Sequence, residues 1–223
     1  MESTHSTDSL KGQFKEHHHA HHYDSTEHEF DASKFGMWLF LVTEIMLFGG
    51  LFVAYTIFRG LYPDMFHEAH KHLDKVMGAV NTIVLICSSL SMALAVGMAQ
   101  RNQPKKSATL LLITLGFAAT FMVVKYFEYT HKIHDGLLPG AHFTNTSIGH
   151  PKADLFFSLY FMMTGLHGLH VLIGMGLITW MLKRTLNNEF SEHYYMPVEL
   201  VGLYWHLVDL IWIYLFPLLY LIG

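Results

Sequence analysis

Residues 153–182 read ADLFFSLYFMMTGLHGLHVLIGMGLITWML, thirty positions that carry one charged side chain, Asp154. A helix needs about 20 apolar residues to cross about 30 Å of hydrocarbon, so this stretch is long enough to span a bilayer. Four more segments share its character, at about residues 35–58, 77–99, 107–127 and 198–222. Within lipid every backbone N–H and C=O must find its partner inside the segment, which makes each of these a helix. Barrel strands are shorter and alternate apolar with polar residues, so strands are excluded. The expected fold is all-α: a polytopic membrane bundle of five transmembrane helices, residues 35–223, with its two ends on opposite sides.

Composition agrees with that pattern. Of 223 residues, 52% are hydrophobic and 14% charged, and the mean hydropathy is +0.29. An ordinary soluble domain has about 25% charged residues. The apolar content excludes a disordered chain, and a formal charge of −4 leaves no basic patch for nucleic acid. The single cysteine, Cys87, excludes an internal disulfide. Histidine is the unusual component, with 18 residues against 14 Lys and Arg together.

Residues 1–34 differ from the remainder. They are polar, lack the apolar run of a signal peptide, and read as a mobile tail with too little apolar surface to offset ordering entropy. The tail holds His17, His18, His19, His21 and His22. Those imidazoles either bind Ni, Cu or Zn loosely or form a solvated, weakly buffering tract. Eight basic residues fall on the side of the tail and six on the other, and three of the eight, Arg101, Lys105 and Lys106, crowd one short turn. The positive-inside rule then places the N-terminus in the cytoplasm and the C-terminus outside.

The informative side chains are those that lipid penalises. An ionisable group near the bilayer centre costs about 2.5–3.5 kcal/mol on insertion scales. Glu44 lies nine residues into the first segment, with nothing nearby to carry it to an interface. It is either a proton-handling carboxyl or a tie that bonds two helices. His167 and His170 are three apart and share a helix face. Glu199, His206 and Asp209 follow one stripe of the fifth segment. These five residues fit a metal site for iron, copper or zinc, or an intramembrane network in which imidazoles and carboxylates satisfy one another. The network is the expectation, because intramembrane polar groups pair with each other. Lys125 and Glu128 read as an interfacial ion pair. Tyr55, Tyr62, Tyr126, Tyr129, Trp180 and Trp205 read as interfacial anchors, and Pro217 as a bend near the end of the fifth helix.

Two stretches carry a resemblance: Thr164-Gly-Leu-His-Gly-Leu-His-Val-Leu-Ile-Gly174 and Tyr204-Trp-His-Leu-Val-Asp-Leu-Ile-Trp212. Thr43-Glu44, Asn81-Thr82 and Phe127-Glu128-Tyr129 support them. From about Phe35 to Gly223 the chain resembles subunit III of the haem-copper oxidases, in a short five-helix form. The resemblance implies a non-catalytic subunit of a bacterial inner-membrane respiratory complex. That complex passes electrons from cytochrome c to O2 and couples this to proton translocation. It implies no cofactor in this chain, haem and copper in partner subunits, packing against subunit I, and structural phospholipid. It also matches Glu44 to the family's membrane glutamate and Arg184 to a residue that contacts lipid headgroup. Longer members have seven helices; this sequence begins at the equivalent of the third, and its His-rich tail has no counterpart. Rival readings are subunit III of a quinol oxidase, the related accessory protein of a nitric oxide reductase, and a small metal-ion or proton carrier.

Overall fold

The computed structural model describes residues 26–140, 143–144, 148, 152–190 and 194–221. Six helices follow in order: α1 (Thr26–Leu61), the short α2 (Pro63–Ala69), α3 (Lys75–Gln100), α4 (Pro104–His134), α5 (Ala153–Leu186) and α6 (Met196–Phe216). A 3-10 turn, His70–His72, follows α2, and a π-type turn, Pro217–Leu221, ends α6. Five helices, α1 and α3 to α6, are long and apolar enough to cross a membrane. Leu137 and Phe143 form an isolated antiparallel bridge, and no strand is present among the described residues. The all-helical, five-span architecture is the one expected.

Local chemistry sets the ends of these helices. Asp74 caps α3 by accepting hydrogen bonds from the backbone N–H of Val76 and Met77, at 2.8 and 3.1 Å. Pro63 and Pro104 occupy first-turn positions, where the missing N–H has no helical partner to lose. Helices α3, α4 and α5 end in one pattern. The residue after the cap takes positive φ: Asn102 (57°), Gly136 (69°) and Asn188 (55°). The next N–H reaches back five residues: Gln103 to Met98, Leu137 to Lys132 and Glu189 to Arg184. This arrangement satisfies carbonyls that a helix end leaves open, and Gly or Asn is the residue that tolerates it.

Packing is closest among α3 to α6. On α5, a Cβ at Gly174 would lie 2.6 Å from the Trp205 ring, so glycine is what admits that indole between α5 and α6. Trp205 is fully buried and donates from its indole nitrogen to the Ser88 hydroxyl on α3, at 3.1 Å. Trp212 makes the equivalent bond one step along, to Thr82 at 3.1 Å. At Gly78 the same logic admits Phe216 and Tyr220. Helix α1 is different. It touches α5 and α6 along one side only, and Phe35, Trp38, Met46 and Val53 on its other faces are exposed.

The structure adds detail to these expectations. The first helix begins at Thr26, ahead of the span expected from residue 35. Acidic Glu29 and Asp31 near its start suit the positive end of a helix, and Lys34 pairs with Glu199 at 2.8 Å while Phe30 packs on Tyr195. Trp205 and Tyr55 are core residues and Tyr129 is half-buried against the core, so none is an interfacial anchor: Tyr55 donates to the Leu218 carbonyl, and Tyr129 shares a 2.6 Å hydrogen bond with Thr164. Tyr126 and Trp180 are exposed as an anchor would be. At Pro217, which cannot donate, the helix widens into the π-type turn.

Gly174→Ala is expected to destabilise the bundle by about 1–3 kcal/mol through overpacking against Trp205. Gly176→Ala, which meets nothing within 4 Å, is its control. Thermal unfolding in detergent reads the difference, and equal melting for the two variants would contradict the close contact.

Candidate functional site

Glu44 lies on the inner side of α1 and His170 on α5, 126 residues apart in sequence, and they meet at 2.8 Å between Glu44 Oε2 and His170 Nε2. Both side chains are largely withdrawn from the surface. The other ring nitrogen, Nδ1, lies 2.7 Å from the Leu166 carbonyl oxygen. A carbonyl only accepts, so Nδ1 must carry a hydrogen. One proton therefore remains for the Glu44–His170 contact. It resides either on the carboxyl, facing a neutral ring, or on Nε2, facing a carboxylate. Phe48 packs edge-on to the imidazole at 5.3 Å, and Tyr204 donates to the His170 carbonyl at 3.0 Å. The pair is thus held in place from three helices.

The five residues expected to satisfy one another as a network do not form one. His170 bonds Glu44. His206 Nδ1 bonds the Ser89 hydroxyl at 2.8 Å. Glu199 pairs with Lys34 in the first turn of α6, well before Asp209 in the helix interior. His167 is fully buried between the Phe121 and Trp212 rings, at 5.5 and 5.3 Å, and neither of its nitrogens has a hydrogen-bond partner among the described residues. Asp209 is 2% exposed, has Ser89 as its polar neighbour, and has no hydrogen bond of ordinary geometry at either oxygen. A shared helix face does not fix which neighbouring helix each side chain meets, and that is where the expectation fails. Among the described residues no group of three or more His, Cys, Asp or Glu is placed to hold a metal. His17, His18, His19, His21 and His22 lie outside the described residues.

Arg184, near the end of α5, bonds Glu189 at 2.8 Å, and its guanidinium lies 5.4 Å from the Trp180 ring and 5.0 Å from Phe190. It is partly exposed, at the same end of the bundle as the Arg101–Lys106 turn.

A second polar centre, expected from sequence as an interfacial ion pair, lies inside the bundle. Lys125 and Glu128 on α4 are buried, with Nζ and Oε2 at 2.8 Å. Glu128 Oε1 also accepts from Tyr220 at 2.6 Å and from Tyr160 at 2.9 Å. Lys125 donates to the Tyr220 hydroxyl at 2.8 Å and rests 4.5 Å from the Trp212 ring. Lys132, buried too, stands 3.9 Å from Glu128 and donates to the His72 carbonyl. One carboxylate is thus surrounded by two ammonium groups and two phenols, which ties α4, α5 and the final turn together. The sequence signal was the i, i+3, i+7 spacing of Lys125, Glu128 and Lys132; the two tyrosines, 32 and 92 residues away, gave none.

Comparison with known proteins adds the following. The family model for cytochrome c oxidase subunit III matches residues 15–223. A cytochrome c oxidase subunit 3 of Synechocystis is 35% identical over 193 residues, spanning 86% of this chain and 76% of the relative. A probable quinol oxidase subunit 3 of Staphylococcus saprophyticus is 28% identical over 208 residues, spanning 92% and 96%. A heme-copper oxidase subunit I+III of Aeropyrum pernix is 29% identical over 198 residues, which span 86% of this chain and 23% of that longer protein.

Removing one partner of a buried ion pair strands the other, at a cost of about 3–5 kcal/mol. Glu128→Leu is therefore expected to destabilise the chain strongly, and Lys125→Met together with Glu128→Leu to recover part of the loss. Unfolding in detergent measures both; a double variant as unstable as the sum of its parts would contradict the pairing.

Proposed function

The chain belongs to the cytochrome c oxidase subunit III family, and from that premise we propose that it supports proton uptake and stability in a respiratory oxidase without holding a redox centre of its own. It is a multi-pass membrane protein and a subunit III of the haem-copper oxidase type. In this reading it packs directly against subunit I, which carries the haem and copper; the existence of a relative named subunit I+III supports that arrangement. In this reading the complex lies in a bacterial inner membrane, with the N-terminus and the Arg101–Lys106 turn on the cytoplasmic side and the C-terminus outside.

The observation that carries the reading is the 2.8 Å contact between Glu44 and His170, whose Nδ1 is engaged by the Leu166 carbonyl. A carboxyl hydrogen-bonded to an imidazole passes a proton between them with little rearrangement, and such a pair on the least enclosed helix suits a proton reservoir beside a catalytic neighbour. The same bond joins α1 to α5, so Glu44 also serves as a helix tie. Arg184, with its guanidinium over Trp180 and its charge partly offset by Glu189, is the proposed contact for a lipid phosphate. Cytochrome c is the proposed electron donor of the complex. Quinol is the second reading, favoured by the relative that this chain covers almost from end to end.

Gentle detergent purification through this chain tests the proposal. The expected sample contains a larger haem-bearing subunit and shows its redox spectrum, while the chain separated from it shows no haem absorbance. Elution of the chain alone, or metal-dependent transport by the chain alone in vesicles, would favour the carrier reading. Glu44→Gln is expected to copurify like the parent, since an amide still bonds an imidazole, and to reduce sustained proton uptake. Unchanged uptake would remove Glu44 from proton handling.

A further inference from the structure

Helices α3 and α4 form a hairpin whose chemistry is one-sided. From Lys75 to Phe127 it contains no Asp or Glu, yet its turn carries Arg101, Lys105 and Lys106. All three are exposed, and none makes an ion pair with a described residue. The two helices meet closely beside the turn, where the Ser107 hydroxyl donates to the Ala95 carbonyl at 2.9 Å. Directly outside that contact lies an open groove of about 390 Å³, lined by Leu94 and Met98 from α3 and by Lys105, Lys106, Thr109 and Leu110 from α4. The Thr109 hydroxyl is already committed to the Lys105 carbonyl at 3.0 Å. The groove therefore offers an apolar floor and, at its membrane-surface edge, two ammonium groups without counter-charge among the described residues.

We propose that this groove seats an anionic phospholipid, its phosphate held by Lys105 and Lys106 and an acyl chain laid against Leu94, Met98 and Leu110. The charge pattern selects this occupant. A zwitterionic headgroup brings its own cation toward the two lysines, whereas phosphatidylglycerol brings a net negative charge and no competitor. Basic pockets between membrane helices recognise anionic headgroups in this way. Long lysine side chains reach from a helix end to the headgroup level while their methylene stems line apolar surface. The carbonyls at the end of α3 are met by the turn described above, so the cations are not consumed in capping. This seat is separate from Arg184, which lies on α5 and already holds Glu189.

The experiment uses the full chain with its copurifying partners. The sample is stripped of loosely held lipid, incubated with vesicles of phosphatidylglycerol or of phosphatidylcholine, and examined by native mass spectrometry. The parent is expected to retain phosphatidylglycerol in preference. Lys105→Gln with Lys106→Gln should reduce that retention roughly tenfold, while Lys75→Gln, at the opposite end of the hairpin, should leave it unchanged. Leu94→Trp keeps the charge and fills the groove, and should also release the lipid. Equal retention of the two lipids overturns the proposal, as does undiminished retention in the double lysine variant. Retention that survives Leu94→Trp means diffuse surface charge, not a seat, and overturns it too. If phosphatidylglycerol binds only after a copurifying protein is removed, a protein covers the groove and the proposal falls.

Discussion

Hydrocarbon offers no partner for a polar group, so each polar side chain in a span must be met by another part of the protein. The contact between Glu44 and His170 shows what this demands of the fold. Helix α1 is apolar on nearly every face and touches the others along one narrow side. Its intramembrane carboxyl faces that side and reaches an imidazole on α5. With Lys34–Glu199 at one end of the helix and Tyr55 bonded to the Leu218 carbonyl toward the other, three polar contacts fix the height and rotation of α1 against the bundle. Apolar packing alone would define neither well, because lipid tails compete equally for an apolar face.

The same demand organises the core of the bundle in a different manner. There the ties are short and directional: two indole nitrogens on α6 reach two hydroxyls on α3, and Ser91 meets Thr114 between α3 and α4 at 2.7 Å. The Lys125–Glu128 centre closes the opposite end and captures Tyr220 from the last turn of the described chain. His167 and Asp209 stand apart from this economy, since both are buried and, among the described residues, neither has a hydrogen bond of ordinary geometry. Their neighbours are aromatic rings and one serine already engaged with His206.

Much of this was readable from the residues. Five spans follow from segment length and hydropathy, because no other structure satisfies the backbone in lipid. Glu44 was conspicuous for its cost alone. Its partner was not, since His167 and His170 have identical spacing signals and differ only in the neighbours that three-dimensional packing gives them. Trp205 read as an interfacial anchor because an indole near a helix end usually is one. The absence of a Cβ at Gly174, on another helix, is what lets it enter the core. The buried surroundings of Glu128 were illegible for the same reason: its phenolic partners come from α5 and from the end of the chain. Sequence spacing reports faces within a helix, and pairing between helices depends on packing that one sequence does not encode locally.

Membership of the oxidase subunit III family gives these ties a context, with a bundle whose first helix is its least enclosed part and whose intramembrane carboxyl is hydrogen-bonded to a histidine. The most direct measurement of that coupling is a double-mutant cycle in the purified complex, combining Glu44→Leu with His170→Leu and reading the detergent concentration at which the chain dissociates. If the two residues act as one unit, the double variant dissociates no earlier than the worse single variant. Losses that simply add would show that Glu44 and His170 contribute independently, and would contradict a shared proton as the tie between α1 and the bundle.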